Sequence, residues 1–211
     1  MTYIRIAKIK DTLRPVKYFL YHLLSRWGNK AVVKKSLGND SVYVELGASR
    51  RNIPGWISLD LCRADINLDL TKQPLPFPDN SVDRFYSSHV FEHFSYPEPM
   101  IAVLKECYRC LKLGGVFSVC VPNAAMYVDA YLKGEYPSGD FYKPAFHQNS
   151  RMDILNYVAY MDGHHKHLFD LEGLLNVLQI VGFKNARQRD FDPSIDLESR
   201  KWESIYAVAN K

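Results

Sequence analysis

Apolar residues recur at helical spacing in the first part of the chain. Val16, Phe19, Leu20, Leu23, Leu24 and Trp27 share one face, with Lys17 and Arg26 off that stripe. Pro15 in the first turn and Gly28 just past the end bound a predicted helix over residues 14–27, packed on the domain or lying in a membrane interface. From residue 41 the pattern becomes that of short strands. Val42-Tyr43-Val44-Glu45-Leu46 ends at Gly47, Trp56-Ile57-Ser58-Leu59 ends at Asp60, and Ile66-Asn67-Leu68 ends at Asp69. Pro74, Pro76 and Pro78 forbid regular structure, and residues 82–87 resume as a strand.

Pro99 then opens a predicted helix running through Leu111, with Ile101, Leu104, Tyr108 and Leu111 on one stripe and Gly114-Gly115 at its end. Residues 116–121 are almost continuously apolar, as in a strand buried on both faces, and Pro122 stops them. Residues 123–167 break the pattern. Their eight aromatics (Tyr127, Tyr131, Tyr136, Phe141, Tyr142, Phe146, Tyr157 and Tyr160), mixed with Gly, Pro and His, predict an irregular insertion or lid. Asp170 caps a last helix with Leu171, Leu174, Leu175, Leu178 and Val181 inward and Gly182 closing it. Residues 183–190 and 204–209 predict two final strands, paired antiparallel. Strands alternating with helices predict an α/β fold with a mostly parallel sheet. Ligands of such sheets sit beyond the carboxyl ends of the strands. That rule singles out Glu45-Leu46-Gly47, Asp60, Asp69, Ser88-His89 and Pro122-Asn123.

Composition narrows the class. A chain of 211 residues suits one domain, and 47% apolar with 24% charged residues excludes disordered and fibrous classes. No apolar run approaches the ~20 residues of a membrane-spanning helix. Residues 18–24, the most apolar early stretch, contain His22 and lack a cleavage site, so no signal peptide is expected. Four cysteines do not make a disulfide framework, and a cytoplasmic, reducing location is expected. Charge is uneven. Residues 1–35 hold nine Lys or Arg against Asp11 alone, a head of +8 on a chain of net +4, leaving −4 on the remainder. This head fits an anionic membrane surface, and hence a membrane-peripheral location, or a phosphate-rich partner; a solvated basic face accounts for it equally well. The expected organisation is a basic helical segment over residues 1–40 and a domain over residues 41–211 carrying the insertion 123–167.

The glycine of Glu45-Leu46-Gly47-Ala48-Ser49 lets the backbone approach a ligand. Asp60, at the tip of the next strand, is placed to accept from both hydroxyls of a ribose. A dinucleotide is disfavoured. Its G-x-G-x-x-G would need glycines where Ala48, Arg50 and Arg51 stand, and the step from Gly47 to Asp60 is shorter than the roughly 20 residues of that fingerprint.

Val44-Glu45-Leu46-Gly47-Ala48 followed by Pro54-Gly55-Trp56-Ile57-Ser58-Leu59-Asp60 resembles the opening of a class I S-adenosylmethionine-dependent methyltransferase of the type-11 kind. Leu75-Pro76-Phe77-Pro78-Asp79-Asn80-Ser81-Val82-Asp83, Ser87-Ser88-His89-Val90-Phe91-Glu92-His93 and Arg109-Cys110-Leu111-Lys112-Leu113-Gly114-Gly115 resemble its later elements. The resemblance spans about residues 41–123 and continues more weakly from His167-Leu168-Phe169-Asp170 to Gly182-Phe183. It implies a Rossmann-like, mostly parallel seven-stranded sheet with helices on both faces and the last strand antiparallel. It also implies S-adenosylmethionine as cofactor. Glu45 and Gly47 would then meet its methionine part, Asp60 its ribose, Asp69 with Leu70 its adenine, and Ser88 and His89 the pocket near the methionine end. The chain departs from the pattern at Ala48, where a second glycine is usual. Gly47 to Trp56 is also too short for a crossover helix, which predicts a reduced helical turn.

Methyl transfer from a sulfonium needs alignment, an entropic contribution of up to ~7–11 kcal/mol. A hydroxyl acceptor also gains from a general base. The candidate bases are His89, His93, His164 and His167, with His165 beside them. Glu92, His93 and the 164–167 histidines are ligand types for a divalent ion, but nothing in the sequence fixes their geometry, and no metal is assigned. Cys107 and Cys110 lie on a predicted helix without a second pair and read as buried cysteines. The aromatic insertion suits sugars, rings or bases, and look-alikes in the family often serve glycan or cell-surface biosynthesis. The expected activity is O-methylation of a small molecule or glycan. RNA methylation and a non-catalytic S-adenosylmethionine-binding module are the alternatives. Nucleic acid is the less favoured partner, because Ser87-Ser88-His89-Val90 lacks the Asn/Asp-Pro-Pro-aromatic signature of the amino-methylating enzymes.

Overall fold

The structure is a computed structural model that describes residues 25, 27–49, 51–137 and 150–211. Most of the helix expected over residues 14–27 lies outside them, as does the stripe from Val16 to Leu24. Residues 27–36 form a helix, α1. Gly28 therefore stands inside a helix rather than beyond its end, and Trp27 is 83% exposed rather than turned inward. A helical glycine costs about 1 kcal/mol against alanine. Here Val33 is buried in the core, Val32 packs against it, and an apolar contact of that size outweighs the penalty. Asn29, also buried, ties α1 to the sheet: its Nδ2 donates to the Asn67 carbonyl (3.0 Å) and its Oδ1 accepts from the Asn67 N–H (3.1 Å).

Seven strands form one sheet in the order β3-β2-β1-β4-β5-β7-β6. They are β1 (Tyr43–Leu46), β2 (Ile57–Asp60), β3 (Ile66–Asn67), β4 (Val82–Ser88), β5 (Leu111–Pro122), β6 (Lys184–Gln188) and β7 (Ser204–Asn210). The first five are parallel, and β7 runs antiparallel to both β5 and β6. This is the expected α/β, Rossmann-like architecture. Helices α2 (Met100–Cys110) and α5 (Leu171–Val181) press Leu104, Cys107, Leu174 and Leu178 onto Phe117 and Val119 of β5 and Phe183 just before β6 in one core. Asp170 caps α5, its Oδ1 accepting from Gly173 N at 2.7 Å, and Gly182 closes it at φ +112°. Cys107 and Cys110 are both buried, and all four cysteines are free thiols. Among the described residues no helix is long and apolar enough to cross a membrane.

Three local expectations change. α2 ends at Cys110, and residues 111–115 already belong to the twelve-residue β5. Leu111 keeps its side chain fully buried while its backbone turns extended, so the apolar stripe outlasts the helix. The β1–β2 connection holds no helix among its described residues. Two tight turns, Arg51 N to Ala48 O (2.8 Å) and Trp56 N to Ile53 O (3.0 Å), span it. The 123–167 segment is not irregular where described, since it contains α3 (Ala124–Leu132) and α4 (Arg151–Tyr160). α4 opens on a capping box of Ser150 and Asp153. Both helices escape a periodicity search. α3 turns in Ala124, Tyr127 and Ala130, and α4 only Ile154 and Val158.

Candidate active site

The carboxyl ends of β1, β2, β3 and β4 meet around a cavity of about 430 Å³. At the end of β1, Gly47 turns the chain with φ +67°, and its N–H and that of Ala48 both donate to the Leu59 carbonyl (2.8 and 3.2 Å). A Cβ on Gly47 would stand 2.1 Å from Val90 Cγ2, so the glycine is required by close approach as well as by its φ. Ala48 is buried within the turn and adds no side chain to the cavity wall.

Asp60, at the tip of β2, lines the cavity. Its Oδ2 accepts from Ser49 N (2.6 Å) and its Oδ1 from Leu61 N (2.5 Å). Two backbone donors thus fix the plane of a carboxylate that keeps lone pairs for a further ligand. Asp69 and Leu70 follow β3 in the same wall. Burial raises the Asp69 pKa, but the contacts of Thr71 and of Lys72 (2.9 Å) outweigh it and hold the carboxyl below its ordinary range.

Glu45 is buried beneath this wall. Burial pushes its carboxyl up to about 7, against the opposing charges of Arg51 and Arg200. Arg51 Nη1 stands 3.5 Å from Glu45 Oε1, and Glu45 Oε2 has no hydrogen-bond partner among the described residues. Arg51 also donates to the Ile195 carbonyl, which draws the β6–β7 connection over this end of the sheet. Ser88 does not line the cavity. It holds Arg200, whose Nη1 donates to the Ser88 Oγ (3.0 Å) and carbonyl (3.2 Å).

Opposite the acids stand His89, His93 and His164. His89, in a left-handed conformation (φ +55°), pairs its Nε2 with Ser204 Oγ at 2.8 Å. Burial, reinforced by the charge of Arg200, drives its pKa down to about 2, so it stays neutral. His93 follows on a 3-10 turn, Phe91–His93, and its Nδ1 contacts the His164 carbonyl (3.0 Å). A carbonyl only accepts, so Nδ1 carries the ring proton and Nε2 is turned toward Glu92. Burial lowers the His93 pKa. His164 is exposed at the cavity mouth, whereas His165 is buried with its Nδ1 on the Val158 carbonyl (2.7 Å). His167 packs on Phe169 (4.6 Å) and Tyr96 (5.6 Å), outside the cavity wall. The N–H groups of Lys166 and His167 both donate to the Glu92 carbonyl, which docks residues 164–167 on the 3-10 turn.

The structure thus brings Gly47, Asp60, Asp69, Leu70, His89, His93 and His164 to one cavity and puts Glu45, Ser88 and His167 beside it. Sequence reasoning passed over Arg51, Arg200 and Glu203, and weighed Glu92 only as a ligand type for a divalent ion. Burial raises Glu92 to about 8 and Glu203 to about 7, and Arg200 opposes both. Arg51 sits in a turn whose shape the sequence left open. Arg200 reaches Ser88 across 112 residues, and no local pattern signals such a contact.

Residues 24–119 match the model of a protein family described as a methyltransferase domain. Among solved structures, an S-adenosylmethionine-dependent methyltransferase from Archaeoglobus fulgidus superposes with a TM-score of 0.51 at 16% identity, covering 90% of this chain and 99% of the other. A second, from Thermotoga maritima, gives 0.50 at 16% identity over 95% of each chain. A third, from Mesorhizobium loti, gives 0.50 at 16% identity over 89% of this chain and 97% of the other. No curated protein matches in sequence. The site fits S-adenosylmethionine, the cofactor that the resemblance in sequence implies. The cavity is of small-molecule size, Asp60 offers acceptors at a strand tip, and the orphaned Glu45 Oε2 is an acceptor awaiting a donor.

Proposed function

We propose that this chain is an S-adenosylmethionine-dependent methyltransferase, a reading that the match of residues 24–119 to a methyltransferase-domain family supports, and that it methylates a hydroxyl group of a small molecule or glycan. What carries the reading is that Asp60 and Asp69, two of the acids expected to bind cofactor, and a solvent-facing imidazole, His164, share one cavity. Asp60 accepts from the ribose hydroxyls. Asp69 and Leu70 frame the adenine. Glu45 Oε2 accepts from the methionine ammonium, and the turn at Gly47 leaves room for the methionine chain. When bound, S-adenosylmethionine supplies a methyl carbon on a sulfonium, and the acceptor oxygen bonds to that carbon as the C–S pair returns to sulfur. His164 takes the hydroxyl proton. His93 is less suited to that task, because its free lone pair faces Glu92.

In this reading the chain acts in a reducing cytoplasm, as its four free thiols suit, and the basic residues of 1–35 hold it at an anionic membrane surface. A methyl-transfer screen over sugars, nucleotide sugars, lipids, phenols and RNA with labelled donor tests it. His164→Ala should lower turnover on the accepted hydroxyl compound about 10²–10⁴-fold while leaving S-adenosylhomocysteine affinity unchanged. Transfer to RNA alone would overturn the reading, and cofactor binding without transfer to any class would favour a binding module.

A further inference from the structure

Both carboxylate oxygens of Glu92 are buried, the side chain is 3% exposed, and neither oxygen has a hydrogen-bond partner among the described residues. Two imidazole nitrogens approach Oε1, His89 Nδ1 at 3.8 Å and His93 Nε2 at 3.9 Å, and both stand beyond hydrogen-bond length. A buried acceptor left in this state is destabilising, more so if charged, so the arrangement calls for a ligand. Donor atoms of Glu92, His93 and His165 all lie within 4.8 Å of one another. The two rings are held from behind: His93 Nδ1 donates to the His164 carbonyl and His165 Nδ1 to the Val158 carbonyl. Each neutral ring therefore keeps its lone pair on Nε2. This outer shell of carbonyls, which fixes tautomer and ring plane, is the one that metal-binding histidines carry.

We propose that Glu92, His93 and His165 hold one divalent transition-metal ion at the rim of the cofactor cavity. Two imidazoles and a carboxylate select zinc, cobalt, nickel or manganese over magnesium or calcium. Donors 2.0–2.2 Å from a tetrahedral ion lie about 3.4 Å apart. The Glu92–His93 pair at 3.9 Å thus needs to contract by roughly half an ångström, and donors as far as 4.8 Å apart by up to about 1.4 Å. His93 belongs to both the cluster and the cavity wall, so a fourth coordination position opens toward the cavity, for water or an acceptor oxygen. The site does not depend on which acceptor is methylated.

The test uses the full chain, stripped with chelator and titrated with zinc, cobalt, nickel, manganese and magnesium in separate calorimetric runs. Cobalt absorption is recorded in parallel. One equivalent of zinc or cobalt should bind, with visible cobalt bands of a low-coordinate N/O site. His93→Ala, at a half-exposed position, and Glu92→Gln should each weaken binding at least tenfold with an unchanged circular dichroism spectrum. If Glu92→Gln does not fold, His93→Ala decides. No stoichiometric uptake of any of the four transition ions, uptake that His93→Ala leaves unchanged, or binding of magnesium alone would overturn the proposal. S-adenosylhomocysteine affinity measured on the same samples separates this failure from failure of the methyltransferase site.

Discussion

Asp60 carries two backbone hydrogen bonds and stands in the cavity wall, so it joins the fold of the glycine turn to the binding of a ligand. Asp60→Ala removes both acceptors. S-adenosylhomocysteine affinity measured by calorimetry should fall more than tenfold, and an unchanged affinity would refute the ribose assignment. Gly47 is constrained twice, by φ +67° and by Val90. Gly47→Ala must move either the turn or the side chain of Val90, and a destabilisation of about 1–3 kcal/mol in urea unfolding is expected. Gly47→Ala with Val90→Ala should recover part of that loss, because the second change removes the clash and leaves only the backbone strain. These positions were legible in the sequence because a single residue at a strand tip announces them. Glu45, Asp60 and Asp69 each follow from the rule that ligands gather at carboxyl ends. Arg200 and Glu92 were not singled out in the same way, since their meaning comes from contacts made across the fold.

At the scale of elements, α1 and the helices after β5 show what periodicity misses. The Val16–Trp27 stripe predicted a stop at Gly28, yet residues 27–36 are helical, because Asn29 and Val33 have tertiary partners the sequence does not display. β3 is the sheet's edge and only two residues long. Asn29 satisfies the N–H and carbonyl of Asn67 on that edge, as a neighbouring strand would. Asn29→Ala leaves both groups without that partner and should cost about 1–3 kcal/mol, read as a lower thermal midpoint. Asn29→Asp, which keeps the acceptor and loses the donor, should fall between the two. Removal of residues 1–24 should leave this clamp intact, whereas removal of residues 1–36 should reproduce or exceed the alanine effect. Strands β1, β2, β4, β5 and β7 were readable because buried apolar runs are short and sharply bounded. α3 and α4 were not, because small and aromatic residues do their packing without a continuous apolar stripe.

Taken whole, the molecule titrates in two opposed directions. Glu45 and Glu203 are raised by burial from 4.5 to about 7, so the folded state binds more protons than the unfolded one between these values. Their contribution is full below pH 4.5 and is lost as pH rises through about 7. His89, His93, His165 and His167 are lowered by burial, and their contribution is present above pH 6.5 and lost on acidification. The stability curve of the wild type is the sum of these slopes, so the comparison with Glu45→Gln is the informative one. The variant should match the wild type near pH 5 and exceed it near pH 8 by on the order of 2 kcal/mol, measured by denaturant unfolding. A difference that does not change with pH would show that Glu45 is ionised throughout.

The position of β7 between β5 and β6 has a consequence for how the protein comes into being. β6 is bonded to β7 alone among the described strands, and β7 follows it in the chain. During vectorial synthesis β6 leaves the ribosome before the strand that will receive it exists. β5 meanwhile presents an open edge of unpaired N–H and C=O groups on the side that β7 will fill. For that interval the nascent chain is a five-stranded parallel sheet with one raw flank, the kind of surface that holds chaperones and invites pairing with a neighbour.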